Sequence, residues 1–358
     1  MAKAKRDPIR VGIIGLGRSG YDIHVHHIRR DRRYQVVAVA DPVAEMRAEA
    51  EKDLKVDAYE DHRRLLERDD LDLAVIAAPS HLHLPMTLDA FKAGLHVLCE
   101  KPLAPTVRDV DRMIAASKRA GRLLAIYQQS RFAPYYSQVC KVIDSGVLGR
   151  IVMIKVVVNT FSRRWDWQVL QEYAGGCLLN TGAHMLDQLL QLYGKGMPEV
   201  KCAMDRANPF GDADDHVKVL LTGRNRPTID LEISHCAAYP SPFLYKVYGT
   251  LGGLVATRGE AKWRYYRPEK APKQALSRTP LPGRKWCREE LPWVEKTWTV
   301  PKSKANMFPV MARIFYNRLH EALTEGAPLV ITPQQVRRQI AVIEECRRQN
   351  PLPKRRAR

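Results

Sequence analysis

The sequence has no apolar run long enough to cross a bilayer and no closely spaced cysteine pairs. A membrane helix needs about 20 mainly apolar residues, so we expect no span, signal peptide or anchor. The seven cysteines are odd in number and far apart, which argues against a zinc site or disulfides and favours a reducing cytoplasm. Glycine (21) and proline (23) are too few for a low-complexity chain, and 45% apolar residues suffice for a buried core.

Positive charge is in excess and partly clustered. Lysine and arginine number 58 against 39 acidic residues, for a net charge of +19. Residues 258–304 hold 13 Lys/Arg and 5 Asp/Glu with tryptophan and tyrosine between them, and residues 354–358 are also basic. Basic residues among aromatic ones can bind single-stranded nucleic acid. Since no nucleic-acid motif accompanies them, we favour a proline-rich excursion that packs its aromatic side chains and leaves its charges solvated.

A glycine-rich turn follows the first apolar run. Residues 10–17 begin as a strand, and the pattern G-x-G-x-x-G leads into a helical segment that runs to residue 30. In dinucleotide-binding folds such glycines allow the turn, the approach of the backbone to a pyrophosphate and close packing of the helix. The helix start also directs N–H groups towards phosphate. We therefore expect a dinucleotide to contact Gly15, Leu16, Gly17, Arg18, Ser19 and Gly20.

The second apolar run, 35–40, ends in an acidic residue, Asp41. A carboxylate here would accept hydrogen bonds from both hydroxyls of the adenosine ribose and would repel a 2′-phosphate. Neither Pro42 nor Val43 supplies the cation that NADP would need, so NAD is favoured. The alternative is an aspartate that caps a turn or helix before Pro42.

Further apolar runs alternate with helical patterns up to residue 130. The runs lie at 71–78, 96–100 and 123–127, and the helical patterns include 85–93 and 106–120. This alternation predicts an α/β fold with a doubly wound parallel sheet. Ligands of such sheets bind at the carboxyl ends of the strands. Chemistry is therefore expected in the loops 79–83, 100–102 and 128–131.

Two of these loops carry a recognisable signature. The chain reads Ala-Ala-Pro-Ser-His-Leu-His over 77–83 and Ala-Gly-Leu-His-Val-Leu-Cys-Glu-Lys-Pro-Leu over 93–103. Together they resemble the Gfo/Idh/MocA oxidoreductases, relatives of glucose-fructose oxidoreductase and inositol dehydrogenase, and the resemblance extends over nearly the whole chain. It implies that Lys101 contacts the nicotinamide ribose and the substrate hydroxyl. It adds these residues to the expected NAD site: Ala78, Pro79, Ser80, His83, Glu100, Lys101 and Gln129.

The Glu-Lys-Pro turn leads to two further expectations. A partly desolvated lysine beside a positive nicotinamide should have a lowered pKa, which suits proton transfer. The resemblance also implies a cis peptide between Lys101 and Pro102, and only X-Pro bonds adopt the cis form at low cost.

The pattern changes after residue 130. A helix to about residue 145 leads to a strand at 151–159, and later strand-like runs follow without helices between them, at 200–204, 216–222, 228–234, 244–248 and 254–257. This predicts an α+β domain with a large, open, mostly antiparallel sheet. We divide the chain into an NAD-binding domain (1–130) and a substrate and oligomerisation domain (131–358). The resemblance implies a homodimer or homotetramer formed through this sheet.

A glycine-led helix precedes those strands and matches a further family signature. Helical spacing places Asn180, His184 and Asp187 on one face. The resemblance makes His184 the acceptor of the substrate's hydroxyl proton. Asn180 stands where many members have aspartate, and an amide can orient His184 or bind a sugar hydroxyl but cannot stabilise imidazolium by charge.

Other polar and aromatic residues are candidates for substrate contact. A tryptophan-rich loop at a cleft can stack on sugar rings, although a packed loop is an equal alternative. We expect no metal site, because His24, His26 and His27 share a helix in which at most two point the same way. The candidate substrate residues are Arg131, Trp165, Trp167 and Asp187.

These features predict an NAD-dependent oxidoreductase that exchanges a hydride with a carbon of a sugar, polyol or sugar-derived compound. His184 would remove the hydroxyl proton, with Lys101 as a polarising or relaying group. Two alternatives remain open. One is a redox-neutral relative that uses NAD to cleave glycosides; the other is a nucleotide-sensing or nucleic-acid-binding protein without activity.

Overall fold

A computed structural model describes residues 7–208, 210–284 and 286–353. The basic stretch 354–358 and Lys285, both part of the predicted basic segments, lie outside these ranges. No helix in the described ranges has the length and apolar content needed to span a membrane.

The first sheet is parallel, with the strand order β3-β2-β1-β4-β5-β6. Its strands are β1 (Ile9–Ile14), β2 (Tyr34–Ala40), β3 (Asp57–Tyr59), β4 (Leu73–Ile76), β5 (His96–Cys99) and β6 (Leu124–Ile126). A π-helical segment, Ser19–Val25, precedes the helices α1 (His26–Ile28), α2 (Ala44–Leu54), α3 (His62–Leu66), α4 (His83–Lys92) and α5 (Val107–Ala120). The order reverses between β1 and β4, where such sheets form a ligand crevice. The predicted doubly wound sheet is confirmed.

The second sheet has the order β14-β13-β12-β11-β7-β10-β9-β8. Its strands are β7 (Ile151–Asn159), β8 (Glu199–Asp205), β9 (His216–Thr222), β10 (Thr228–Ser234), β11 (Tyr245–Gly249), β12 (Gly252–Ala256), β13 (Glu260–Tyr265) and β14 (Val294–Thr299). Only the β7–β10 pair is parallel within the described residues. The predicted mostly antiparallel sheet is therefore confirmed.

Four helices belong to the second half of the chain: α6 (Pro134–Asp144), α7 (Cys177–Tyr193), α8 (Met307–Glu325) and α9 (Pro333–Gln349). Helices α6, α7 and α9 pack on the second sheet. Helix α8 packs on α1 and on the turn Gln129–Phe132, and α9 also contacts α5 and β6. The last two helices therefore reach back to the first sheet.

Alternation divides the second sheet into an apolar and a charged face. On β9, Val217, Val219 and Leu221 are fully buried beneath the helices. On the opposite face, Lys218 Nζ lies 2.5 Å from Asp230 and 3.1 Å from Glu232. Successive side chains of a strand point to opposite faces, and antiparallel sheets commonly have one face that packs on the core and one that meets solvent.

The basic and aromatic segment 258–304 differs from the sequence expectation. It contributes strands β13 and β14, which pair with each other and extend the sheet. Trp263 and Trp298 pack against the core, whereas Trp286 in the intervening loop is 84% exposed. The alternation Lys262-Trp263-Arg264-Tyr265 is the pattern of a half-buried strand.

The glycine turn provides a test of packing. An added Cβ at Gly20 would lie 1.8 Å from the backbone oxygen of Gly15, whereas at Gly17 it would meet nothing within 4 Å. We expect Gly20→Ala to lower the free energy of unfolding by about 1–3 kcal/mol. The control Gly17→Ala should change it by less than about 0.5 kcal/mol. Urea unfolding measures both, and equal stabilities would contradict the packing described.

Candidate active site

A cleft of about 840 Å³ opens at the carboxyl ends of the first sheet and reaches the start of α7. Most of the predicted dinucleotide residues line it: Gly15, Gly17, Arg18, Ser19, Asp41, Ala78, Pro79, Ser80, His83, Glu100 and Lys101. Three of the predicted dinucleotide residues do not line it, and His184 is not among the lining residues either. Leu16 and Gly20 are buried behind the turn, and Gln129 is buried with an amide oxygen that has no hydrogen-bond partner in the described chain.

The glycine turn brings three strand ends together. Gly15 adopts a φ of +92°, and its N–H donates to Ala40 O at 2.8 Å. A Cβ at Gly15 would lie 2.7 Å from the backbone nitrogen of Ala78. Gly15 therefore needs both its conformation and its lack of a side chain. Gly17 instead faces open space within the cleft.

Asp41 is tied to the same turn. Its carboxylate accepts the Leu16 N–H at 2.7 Å and the Val43 N–H at 2.9 Å, and the side chain lines the cleft. Two of the roughly four acceptor positions of a carboxylate remain for a ligand. The same Asp41 side chain can therefore cap the turn and face a ligand in the cleft.

The Lys101–Pro102 peptide is cis, as predicted. Lys101 Nζ donates to Asn180 Oδ1 at 2.9 Å and approaches Asn180 O at 3.4 Å. Burial lowers the pKa of Lys101, and the charges of Arg18 and Arg164 lower it further against the opposing effect of Glu100. Lys101 lines the cleft, and no carboxylate of the described residues is bonded to its Nζ.

Asn180 does not orient His184, in contrast to one sequence expectation. Its amide oxygen accepts from Lys101, and its Nδ2 donates to Gln168 Oε1 at 2.6 Å. The first turn of α7 meets the loop after β5, so a residue one turn before His184 along the helix contacts a different element. Gln168, which also lines the cleft, had no signal in the sequence.

His184 is held by a glutamine. Gln128 Oε1 lies 3.0 Å from His184 Nδ1, and Nε2 has no hydrogen-bond partner among the described residues. Burial and then the charge of Lys101 lower the pKa of His184 well below its usual value. Both effects favour the neutral imidazole. Gln128 follows β6 in a loop that the sequence had marked for chemistry, but nothing linked it to His184.

His24 has a role that the sequence did not indicate. It is fully buried, with Nε2 3.2 Å from Glu100 Oε1 and Nδ1 2.7 Å from the Tyr316 hydroxyl of α8. Burial alone would raise the pKa of Glu100, but the hydrogen bond from His24 and the nearby Lys101 lower it. Glu100 Oε2 also accepts the Lys101 N–H at 3.1 Å.

No set of three possible metal ligands converges in the described ranges.

The four predicted substrate residues separate in the structure. Trp167 lines the cleft, whereas Trp165 is 81% exposed and does not. Arg131 and Asp187 form a buried bidentate pair away from the cleft lining, and Arg131 also donates to Gln335 at 2.8 Å. A carboxylate this deeply buried needs a charged partner, and Arg131 supplies it.

Comparison with known proteins agrees with this architecture. Residues 9–128 match the model of an oxidoreductase family with an NAD-binding Rossmann fold, and residues 136–255 match the GFO/IDH/MocA C-terminal domain. The D-glucoside 3-dehydrogenase of Escherichia coli is 31% identical over 54% of this chain and 56% of its own length. The myo-inositol 2-dehydrogenase of Thermotoga maritima is 27% identical over 69% of this chain and 75% of its own.

The fold is also shared with solved structures. The WlbA dehydrogenase of Bordetella pertussis superposes with a TM-score of 0.76 over 96% of both chains, at 22% sequence identity. With both halves of the chain matched to models of one family, and with that family's glycine turn and Glu-Lys-Pro loop at the cleft, this protein belongs to the GFO/IDH/MocA oxidoreductases.

Proposed function

We propose that this protein is an NAD-dependent oxidoreductase acting on a hydroxyl-bearing carbon of a sugar, polyol or sugar-derived compound. The position of Lys101 carries the proposal: it lines the cleft, and its Nζ is bonded to the helix that holds His184. The two curated relatives act, by their names, on a glucoside and on inositol. Both compounds present secondary hydroxyls.

The cleft fits a dinucleotide in volume and backbone shape. Its size of about 840 Å³ is that of a ligand site, and Gly17 leaves the turn open to a phosphate. We propose that NAD is held by Gly15, Gly17, Arg18, Ser19, Asp41, Ala78, Pro79, Ser80, His83, Glu100 and Lys101, with Leu16 and Gly20 shaping the turn and Gln129 behind it. When bound, NAD supplies the nicotinamide that exchanges a hydride with the substrate.

Lys101 and His184 divide the proton chemistry between them. A neutral His184 with an unoccupied Nε2 can accept the proton of a substrate hydroxyl. Lys101 has three donors and, among the described residues, donates only to Asn180, so a donor remains for the substrate oxygen. Its positive charge would stabilise the developing alkoxide. Trp167 and Gln168 lie on the same cleft wall and are available to contact the rest of the substrate.

We also propose a homodimer or homotetramer and a cytoplasmic location. Large apolar side chains are exposed on the second sheet, among them Val152, Tyr248 and Val255. Soluble proteins usually cover such side chains when they adjoin one another. All seven cysteines are free thiols, as suits a reducing compartment.

Cofactor preference tests the role of Asp41. We expect NAD to bind at least about tenfold more tightly than NADP, because a carboxylate facing a 2′-phosphate costs over about 1.4 kcal/mol. Asp41→Asn removes the charge but keeps an oxygen for the Leu16 N–H, so the ratio should fall below about threefold. Calorimetry with both cofactors measures the ratio. Equal affinities for the unaltered protein would refute the assignment.

Loss of activity tests the function itself. A panel of sugars and polyols, read by NADH fluorescence, identifies a substrate. His184→Ala and Lys101→Ala should then each lower turnover by roughly 10² to 10⁴. NAD affinity should stay nearly unchanged in His184→Ala. His26→Ala, which alters an exposed histidine outside the cleft, is the control. Full activity of His184→Ala would exclude this proton-transfer site, and tightly bound NAD with no net NADH would favour redox-neutral chemistry.

The pH profile tests the amide at position 180. His184 must be neutral, which sets the acid limb, and Lys101 must be charged, which sets the alkaline limb. A carboxylate in Asn180→Asp would raise the pKa of Lys101 and offset its charge near His184, so both limbs should move to higher pH, the alkaline one by about one unit or more. Asn225→Asp adds the same charge in an exposed turn outside the cleft and should leave the profile unchanged. An unchanged profile in Asn180→Asp would contradict the roles given.

A further inference from the structure

Two buried glutamines stand behind His184. Gln128 and Gln339 are each 1% exposed, and Gln339 belongs to α9, beyond the residues that match the family models. Gln128 Nε2 donates to Ala183 O at 2.9 Å and to Gln339 Oε1 at 3.1 Å. Gln339 Nε2 also donates to Ala183 O. The two side chains thus form a closed set of hydrogen bonds beside the catalytic helix.

These bonds determine which way the Gln128 amide faces. If it were turned over, its nitrogen would face His184 Nδ1, but its oxygen would meet Ala183 O and Gln339 Oε1, which are both acceptors. The orientation that satisfies every group directs Oε1 at His184 Nδ1, 3.0 Å away. An amide oxygen only accepts hydrogen bonds, so Nδ1 must carry a proton. In a neutral ring Nε2 is then the free base.

The charged groups around His184 do not compete with this arrangement. The charge that acts on His184 is that of Lys101, and it disfavours the imidazolium form. Asp187, one turn further along α7, is paired with Arg131. Glu100 is bonded to His24 and to the Lys101 backbone. The tautomer of His184 is therefore decided by the glutamines rather than by an ion pair.

We propose that Gln339 is a positioning residue that, through Gln128, holds His184 as the Nδ1–H tautomer and leaves Nε2 free to accept the substrate's hydroxyl proton. The inference rests on the proposed function only for what Nε2 does. The tautomer itself is a property of the free protein. In the transfer, the substrate O–H bond breaks and an N–H bond forms at Nε2, so the ring holds both protons until it returns one to solvent.

Nitrogen NMR of the protein labelled with ¹⁵N-histidine tests the tautomer without any substrate. The His184 signals are those lost in His184→Gln. We expect the Nδ1–H form to exceed the Nε2–H form at least about tenfold in the unaltered protein, since otherwise a buried amide oxygen lacks its donor. Gln339→Leu removes one of the two acceptors that fix the Gln128 amide and leaves Ala183 O, so the excess should fall at least about threefold. Gln334→Leu, an exposed position on the same helix, is the matched control and should keep the full excess.

A second variant keeps the test informative if Gln339→Leu does not fold, which thermal unfolding reports. Gln128→Glu places a carboxylate at Nδ1, so the pKa of His184 measured by NMR titration should rise by about one unit or more. An Nε2–H majority in the unaltered protein, an unchanged tautomer ratio in folded Gln339→Leu, or an unchanged titration in Gln128→Glu would overturn the proposal.

The two proposals can fail separately. If the Nδ1–H form dominates but His184→Ala keeps full activity, the positioning network stands and the proposed function fails. If His184→Ala is inactive but the Nε2–H form dominates, the function stands and the positioning proposal fails.

Discussion

The hydrogen bond from Lys101 Nζ to Asn180 Oδ1 joins the two halves of the molecule at the cleft. Lys101 follows the fifth strand of the parallel sheet, and Asn180 lies in the first turn of the helix that packs on the second sheet. Any displacement of one sheet against the other would therefore move the lysine relative to His184. In the proposed function a substrate hydroxyl must meet both groups, so the spacing between the sheets would be part of the chemistry.

Around Lys101 and His184, amide side chains make hydrogen bonds that carboxylates could also make. Asn180, which is itself bonded to Gln168, holds Lys101, and Gln128 holds His184, whereas the acidic side chains nearby are bonded to other groups. An amide orients a cation or an imidazole by a hydrogen bond but supplies no negative charge to balance it. In the proposed function this arrangement favours a neutral base beside a charged lysine, and it makes the balance between them sensitive to any added carboxylate.

The last two helices complete the site from a distance. Tyr316 on α8 meets His24, which in turn bonds to Glu100, and Gln339 on α9 meets Gln128. Both helices also pack against elements of the first sheet. The carboxyl-terminal part of the chain thus supports the lysine loop and the histidine at once, so the site is complete only when both helices have docked.

The sequence by itself determined the features that depend on short-range spacing. The glycine turn, Asp41, the Lys101–Pro102 turn, the parallel sheet and the helix containing His184 were all readable, because each follows from a local pattern or from the residue types at adjacent positions. Strands β13 and β14 were missed because their alternating basic and aromatic residues also fit a solvated excursion. Only the tertiary structure decided which groups bond to Asn180, His184 and His24. It also decided that Arg131 pairs with Asp187. Helical periodicity shows which residues share a face, but the group that faces them comes from an element tens or hundreds of residues away, and packing alone brings it there.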